Sequence, residues 1–251
     1  MKNISVVYFS PTGGTRKACL NLAQGLGEDV REVDLCGLEG ECSFGPEDLV
    51  VVGAPVFGGR IPAFAAEKIK CLHGSGAVAV TAAVYGNRAF EDALLELGDC
   101  LKEQGFKIGA GAALLAEHSM VRDIGAGRPD EKDAQEMKSF GIRIREKLEN
   151  DGWQEPRVPG DHPYREWSQM PVVPMTGDAC TACGLCARQC PLKAISASEP
   201  AKVDPGKCIL CMRCVSVCPV RAKSLPPQVL AMLEQKLSPV REIRRENELF
   251  L

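Results

Sequence analysis

Eight of the chain's 13 cysteines fall between Cys180 and Cys218, and they repeat. Cys180, Cys183, Cys186, Cys190 and Pro191 return 28 positions later as Cys208, Cys211, Cys214, Cys218 and Pro219, and Ala194 returns as Ala222. Two such units imply a pseudo-twofold duplication rather than a solenoid. Clustered thiols in a chain without an export signal favour metal ligation over disulfides.

Each unit reads C-x2-C-x2-C-x3-C-P, the run in which the fourth cysteine ligates the cluster of the opposite unit. Three closely spaced thiolates can wrap three irons of one cubane. The proline turns the chain away, so the fourth thiolate reaches across. One [4Fe-4S] cluster is therefore expected on Cys180, Cys183, Cys186 and Cys218, the other on Cys208, Cys211, Cys214 and Cys190. Small residues such as Gly184, Ala187 and Ser216 leave room for amide hydrogen bonds to sulfur. The competing reading, a pair of four-cysteine zinc sites, usually shows separated cysteine pairs instead. Over roughly 45 residues this segment resembles the bacterial-type two-[4Fe-4S] ferredoxins, with all eight ligands and both prolines present. Between Thr176 and Pro226 seven basic residues stand against three acidic ones, a surround of +4 that favours the reduced clusters.

Residues 1–149 alternate strand-length apolar runs with amphipathic stretches of helix length, the pattern of a parallel sheet flanked by helices. Strands are expected at Ser5–Phe9, Val30–Asp34, Asp48–Ala54, Ala77–Tyr85 and Phe106–Glu117. Helices fit at Gly14–Leu26, Pro62–Leu72, Arg88–Gln104 and Pro129–Glu149. The strands lack polar alternation, as expected when both faces of a sheet are covered. The fold expected is α/β, a doubly wound five-stranded parallel sheet of order 2-1-3-4-5, followed by a small α+β iron-sulfur domain.

Three loops leave the same edge of that sheet. Strand one ends in Ser10-Pro11-Thr12-Gly13-Gly14-Thr15, where hydroxyls and glycines lead into a helix and form an anion cradle. The segment lacks the G-K-[ST] ending of a nucleoside triphosphate loop. Strand three ends in Pro55-Val56-Phe57-Gly58-Gly59 and strand four in Tyr85-Gly86-Asn87. In a 2-1-3-4-5 sheet these ends meet at the switch point where FMN binds. The first loop would hold the phosphate, and the other two offer apolar or aromatic surface to a flat ring. Residues 1–149 resemble a flavodoxin, and the whole chain resembles the flavodoxin-ferredoxin fusion proteins of anaerobic microbes. That resemblance maps the phosphate loop onto Ser10, Thr12, Gly13, Gly14 and Thr15, with Gly14 where flavodoxins usually carry Asn. It maps the flavin-flanking loops onto Val56–Gly59 and Tyr85–Asn87. Gly58 is expected to permit a peptide flip that offers a carbonyl to reduced flavin N5.

Residues 150–176 carry five prolines and read as an extended linker, yet Trp153, Tyr164 and Trp167 argue against a loose tether. Residues 177–226 form the ferredoxin-like unit, and 227–251 read as a charged amphipathic C-terminal helix. His73, His118 and His162 are read as structural, although His118 ends strand five on the ligand side of the sheet. A net charge of -3 supplies no basic field for nucleic acid or an anionic membrane, and no apolar run reaches the length of a spanning helix. The apolar start at Ile4–Phe9 is too short for a signal sequence, so a cytoplasmic chain is expected, and the resemblance adds an anaerobic setting. The function expected is electron transfer between two [4Fe-4S] clusters and FMN, linking one-electron and two-electron partners, either redox proteins or a small-molecule acceptor. The alternative is an FMN-dependent reductase of an unidentified small molecule fed through the clusters. No G-x-G-x-x-G loop supports a dinucleotide-binding domain.

Overall fold

The computed structural model describes residues 3–150 and 153–251. In the N-terminal part the elements run β1 (Asn3–Tyr8), α1 (Gly14–Ala23), β2 (Val30–Asp34), β3 (Cys42–Ser43) and β4 (Asp48–Pro55). They continue through α2 (Ala63–Ile69), β5 (Leu72–His73), β6 (Val78–Tyr85), α3 (Ala93–Glu103), β7 (Lys107–Leu115) and α4 (Glu131–Asn150). The C-terminal part holds β8 (Met175–Thr176), α5 (Leu185–Arg188), α6 (Arg213–Ser216), β9 (Lys223–Ser224), α7 (Pro227–Leu237) and β10 (Glu248–Phe250).

The five long strands lie parallel in the order β2-β1-β4-β6-β7, which is the expected 2-1-3-4-5 arrangement. Successive valines of β4 show why it reads as an unbroken apolar run. Val51 joins Leu22, Met137 and Ile144 in the core under α1 and α4, whereas Val50 and Val52 join Leu94, Leu97 and Leu101 under α3. Both faces are covered, so β4 is apolar along both, and the buried Thr81 of β6 has its hydroxyl bonded to the Ala110 carbonyl. Each fully buried leucine of α3 contributes about 1.5–3 kcal/mol relative to exposure.

Two sequence expectations need correction. The C-terminal segment is not one helix: α7 ends at Leu237, a single tight turn spans Ser238–Val240, and the chain closes as β10. Pro239 lacks an amide hydrogen to continue the helix, and the outer edge of β7 offers unpaired backbone groups. β10 pairs antiparallel there, Glu248 with Ala113 and Phe250 with Gly111, so the sheet has a sixth strand beyond the expected five. The third helix begins at Ala93 rather than Arg88, because Asn87 and Glu91 both take positive φ, 64° and 47°.

The Pro-rich segment is a strap, not a tether; Asp151 and Gly152 within it lie outside the described residues. Asp92 accepts from the Asp161 and Arg165 amides, Tyr164 donates to Asp99 at 2.5 Å, and Trp153 donates to the Ile108 carbonyl. The Arg60 guanidinium stacks over the Tyr164 ring while bridging to Glu96. Pro-rich composition here sets an extended path, and the aromatic and polar side chains pin it to the sheet domain.

The duplication visible in the cysteines is also written in the backbone. Ala182 and Leu210 share φ 53°, Lys193 and Arg221 share φ 51°, and Gly184 and Met212 take φ 71° and 62°. Each pair is separated by the same 28 positions, as are α5 and α6. β8 and β9 pair antiparallel and draw the two ends of the unit together. Among the described residues no helix is long and apolar enough to cross a membrane.

Candidate functional site

The first loop turns from β1 into α1 through Gly13, whose φ of 91° is a left-handed conformation that glycine adopts without strain. The Ser10 hydroxyl accepts from the Arg16 amide at 2.9 Å, so it orders the helix start. The amides of Gly14 and Thr15 stand in the first turn, before the intrahelical ladder begins, the place where a helix start can take an anion. Cationic groups gather around it. Lys17, Arg122 and Arg128 line an adjoining cavity of about 380 Å³ together with Thr12, Gly13 and Gly14; Glu117 of the same lining pairs with Arg122, and Arg128 with Asp133, so three cations stand there against one lining acid. The Arg213 guanidinium, from the cysteine segment, reaches the Pro11 carbonyl at 3.0 Å.

The three loops do converge. Pro11, Thr12, Gly14 and Thr15 share a small central cavity, about 60 Å³, with Pro55, Val56, Phe57, Tyr85 and Gly86. That cavity shares Thr12 and Gly14 with the cationic one, and Val56, Phe57 and His118 with a third of about 410 Å³. Ser119 lines all three, so they form one trough from the helix start to the strap. A cationic, amide-rich end and an apolar middle fit a phosphate joined to a flat ring.

Around that middle, the expected residues take different positions. Phe57 is half-buried on the wall. Gly58 and Gly59 have φ 60° and 90°, and the Trp167 indole lies directly over Gly58, 1.8 Å from where a Cβ would stand. Trp167 is the residue that sequence reasoning left in the linker; its size was the signal. Tyr85 is only 4 % exposed and packs among Phe90, Ala113 and Leu115. Asn87 is buried, and its amide donates to the Val240 and Ile243 carbonyls, anchoring the C-terminal segment.

His118 lines the trough and is held neutral. Burial first, and the nearby Arg88 charge second, push its pKa down to about 4. Its Nδ1 accepts from the Met120 and Val121 amides, at 3.3 and 3.0 Å, which leaves the proton on Nε2.

In the cysteine segment, Cys190, Cys208, Cys211 and Cys214 line a single cavity with Ile195 and Leu210. Three come from the second repeat and one from the first, the set expected from the spacing. Cys186 is buried, Cys180 and Cys218 are half-buried, and Cys183 is exposed. Among the described residues no three His, Cys, Asp or Glu side chains gather tightly enough for a single metal ion. Thiols spread around a cavity suit a polynuclear cluster, with one thiolate per iron. Burial pushes the Cys211 thiol up to about 12, so a cationic metal is what would make its thiolate favourable.

The fourth cysteines of the two repeats are held alike. Ala194 donates its amide to Cys190 Sγ at 3.3 Å, and Ala222 donates to Cys218 Sγ at 3.2 Å. Burial raises the Cys218 pKa, but the amides of Ala222, Val220 and Lys223 and the Lys223 charge outweigh it, holding the thiol below its ordinary value. The Lys223 ammonium is itself buried, donating to Thr176 Oγ1 at 2.6 Å.

Residues 179–222 match the family described as 4Fe-4S dicluster domain. No curated protein matches the chain. Among solved structures, a flavodoxin from the domain Archaea is 18% identical, with TM-score 0.39, over 59% of this chain and 99% of its own. Oxidised flavodoxin 2 from Bacillus cereus is 17% identical, with TM-score 0.43, over 58% of this chain and 99% of its own. A rubredoxin oxygen:oxidoreductase from the anaerobe Desulfovibrio gigas is 15% identical, with TM-score 0.42, over 59% of this chain; the chain spans 36% of that protein's length. The strand order and crossover pattern independently make the N-terminal part a flavodoxin-like fold. The chain joins that fold to a ferredoxin-type 4Fe-4S domain.

Proposed function

We propose that the chain is an electron-transfer protein that holds FMN in the trough and two [4Fe-4S] clusters in the cysteine segment. The observation that carries this reading is Cys211. This residue lines both the four-cysteine cavity and the central cavity bounded by the phosphate loop, Phe57 and Tyr85. A cluster ligand at the edge of a flavin site gives the two groups a common boundary. The clusters supply single electrons and FMN one or two, so the pair links one-electron and two-electron partners.

The chain's own residues set up that exchange. The helix-start amides at Gly14 and Thr15 bind the phosphate, and Val56, Phe57 and Tyr85 of the central cavity bound the ring. Arg213 keeps the cysteine segment seated on the phosphate loop. Amides of Ala194 and Ala222, with the buried Lys223 ammonium, offset negative charge on the sulfur. The set Cys180, Cys183, Cys186 and Cys218 includes the exposed Cys183, so the outer cluster is the one a redox partner protein would reach.

A second reading, a flavin-dependent reductase of a small molecule, is favoured by the cavity of about 410 Å³ that adjoins the Val56–Gly58 loop.

The test is anaerobic purification with iron, sulfide and flavin analysis, where about eight irons, eight sulfides and one FMN per chain are expected. Reduction of the clusters is then followed by flavin bleaching, and Cys211→Ser slows that second phase. Zinc in place of iron, or a chain that retains no flavin, overturns the proposal. A flavin phase unchanged in Cys211→Ser would remove the shared boundary as the route.

A further inference from the structure

The cavity of about 410 Å³ forms where the Val56–Gly58 loop and the His118–Met120 segment of the sheet domain meet the strap at Glu166–Met170, Ile209 and Leu210 of the cysteine segment, and α7 at Leu233–Leu237. Its size falls in the roughly 300–1,000 Å³ range of small-molecule sites, and its walls are mostly apolar with a few converging polar groups. Phe57, Trp167, Leu210 and Leu233 supply the apolar walls. Trp167 is 41 % exposed there, an indole held in place over Gly58 yet open on its other side.

Among the charged groups of the lining, two bases stand against one acid. Arg88 lines the cavity and bonds to Glu91, but Glu91 also pairs with Arg165, so one carboxylate serves two guanidinium groups. Arg88 therefore shares its counter-ion with a guanidinium outside the lining. His118 faces the same space, and with Nδ1 occupied by two amides its Nε2–H is a fixed donor; among the described residues no acceptor takes it. Lys236, near the end of α7, adds an ammonium at the mouth. Glu166 is the single acid of the lining, exposed on the strap.

We propose that this cavity binds a small organic acid, its carboxylate held by Arg88, His118 Nε2–H and Lys236, and its apolar body between Phe57, Trp167 and Leu233. The inference rests on the second reading above, in which the chain acts on a small molecule, and it names the class of that molecule. An aromatic or branched acid fits best, because the walls offer an indole and a phenyl ring to one end and cations to the other. A neutral amide of the same shape would gain the apolar contact and lose the charge pairing.

The test uses the full chain, purified anaerobically with its cofactors, and isothermal titration with phenylacetate, 3-phenylpropionate and phenylacetamide. At least one acid should bind at a single saturable site, with the amide weaker by about tenfold or more. Lys236→Met should weaken the acid about fivefold and leave the amide within about twofold, with iron and flavin content unchanged. Leu233→Trp, which fills the cavity, should abolish binding of all three. No saturable binding of either acid, equal binding of acid and amide, or acid binding untouched by both variants would overturn the assignment. Flavin is read from the absorbance of the same samples. Acid binding in a chain that retains no flavin would keep the site and sink the reductase reading, while a flavin-loaded chain that binds no acid would sink this inference alone.

Discussion

Arg213 Nη1 lies 3.0 Å from the Pro11 carbonyl and 3.5 Å from that of Ser10, so a residue adjacent to Cys214, a proposed cluster ligand, holds the loop proposed to cradle the phosphate. The same guanidinium grips Gln189 Oε1, next to Cys190. One side chain therefore ties both cysteine repeats to the sheet domain. Arg213→Ala removes a charge-assisted contact of about 1.5–3 kcal/mol and a cation beside the anion site. FMN affinity should fall by about tenfold or more in a fluorescence titration, with iron content unchanged. An FMN affinity equal to that of the native chain would show that the contact is incidental.

Gly58 was expected to matter through a peptide flip, but its contact with Trp167 comes first. An alanine methyl there would overlap the indole, and φ of 60° already disfavours a side chain. Gly58→Ala should cost about 1–3 kcal/mol and displace the ring, seen as red-shifted Trp167 emission in a Trp153→Phe background. Adding Trp167→Ala should recover part of that loss, because the two residues share one space. Strict additivity of the two substitutions would argue that they are independent.

The cysteine spacing makes the 4Fe-4S domain legible because the motif is local: six of its eight cysteines fall in two runs of seven residues. The parallel sheet is legible for a similar reason, since Val50, Val51 and Val52 can all be apolar only if both faces are buried. What the sequence conceals depends on long-range packing. Trp167 lies more than 100 positions from Gly58, and no local pattern links them. Tyr85 and Asn87 stand on the expected loop, yet the first turns toward Phe90 and the second toward the C-terminal segment. β10 is three residues long, too short for periodicity to separate it from a charged helix.

His118 gives the chain a predictable response to acid. Its folded pKa, near 4, is below the ordinary histidine value of about 6.5, so the stability it contributes is complete above pH 6.5. As pH falls below 6.5 the unfolded chain gains a proton that the folded chain refuses, and stability declines until the folded pKa is reached. Between pH 7.5 and 5.5 that amounts to about 1 kcal/mol. The slowest-exchanging amides of β4 and β6 report global opening, and their opening free energy should fall by this amount in the native chain and by less in His118→Gln. Identical pH profiles for the two proteins would show that His118 titrates normally.

β10 covers an edge that the sheet would otherwise expose. Asn247, just before it, accepts from the Leu115 amide at 2.8 Å and donates to Glu136 at 2.6 Å and Asp133 at 3.2 Å. These bonds seat β10 on β7 and join it to α4, whose Asp133 forms a buried ion pair with Arg128, just ahead of the helix. Asn247→Ala leaves a buried amide and a buried carboxylate short of a partner, a loss of about 2 kcal/mol measurable by hydrogen exchange at β7. Deleting residues 247–251 goes further and uncovers a row of unpaired backbone groups along Gly111–Leu115, a strand of small apolar residues that resists edge pairing poorly. That truncated chain should self-associate in sedimentation experiments at concentrations where the native chain keeps its own state. If the two sediment alike, and β7 exchanges no faster, the C-terminal strand is an ornament of the fold rather than its edge protection.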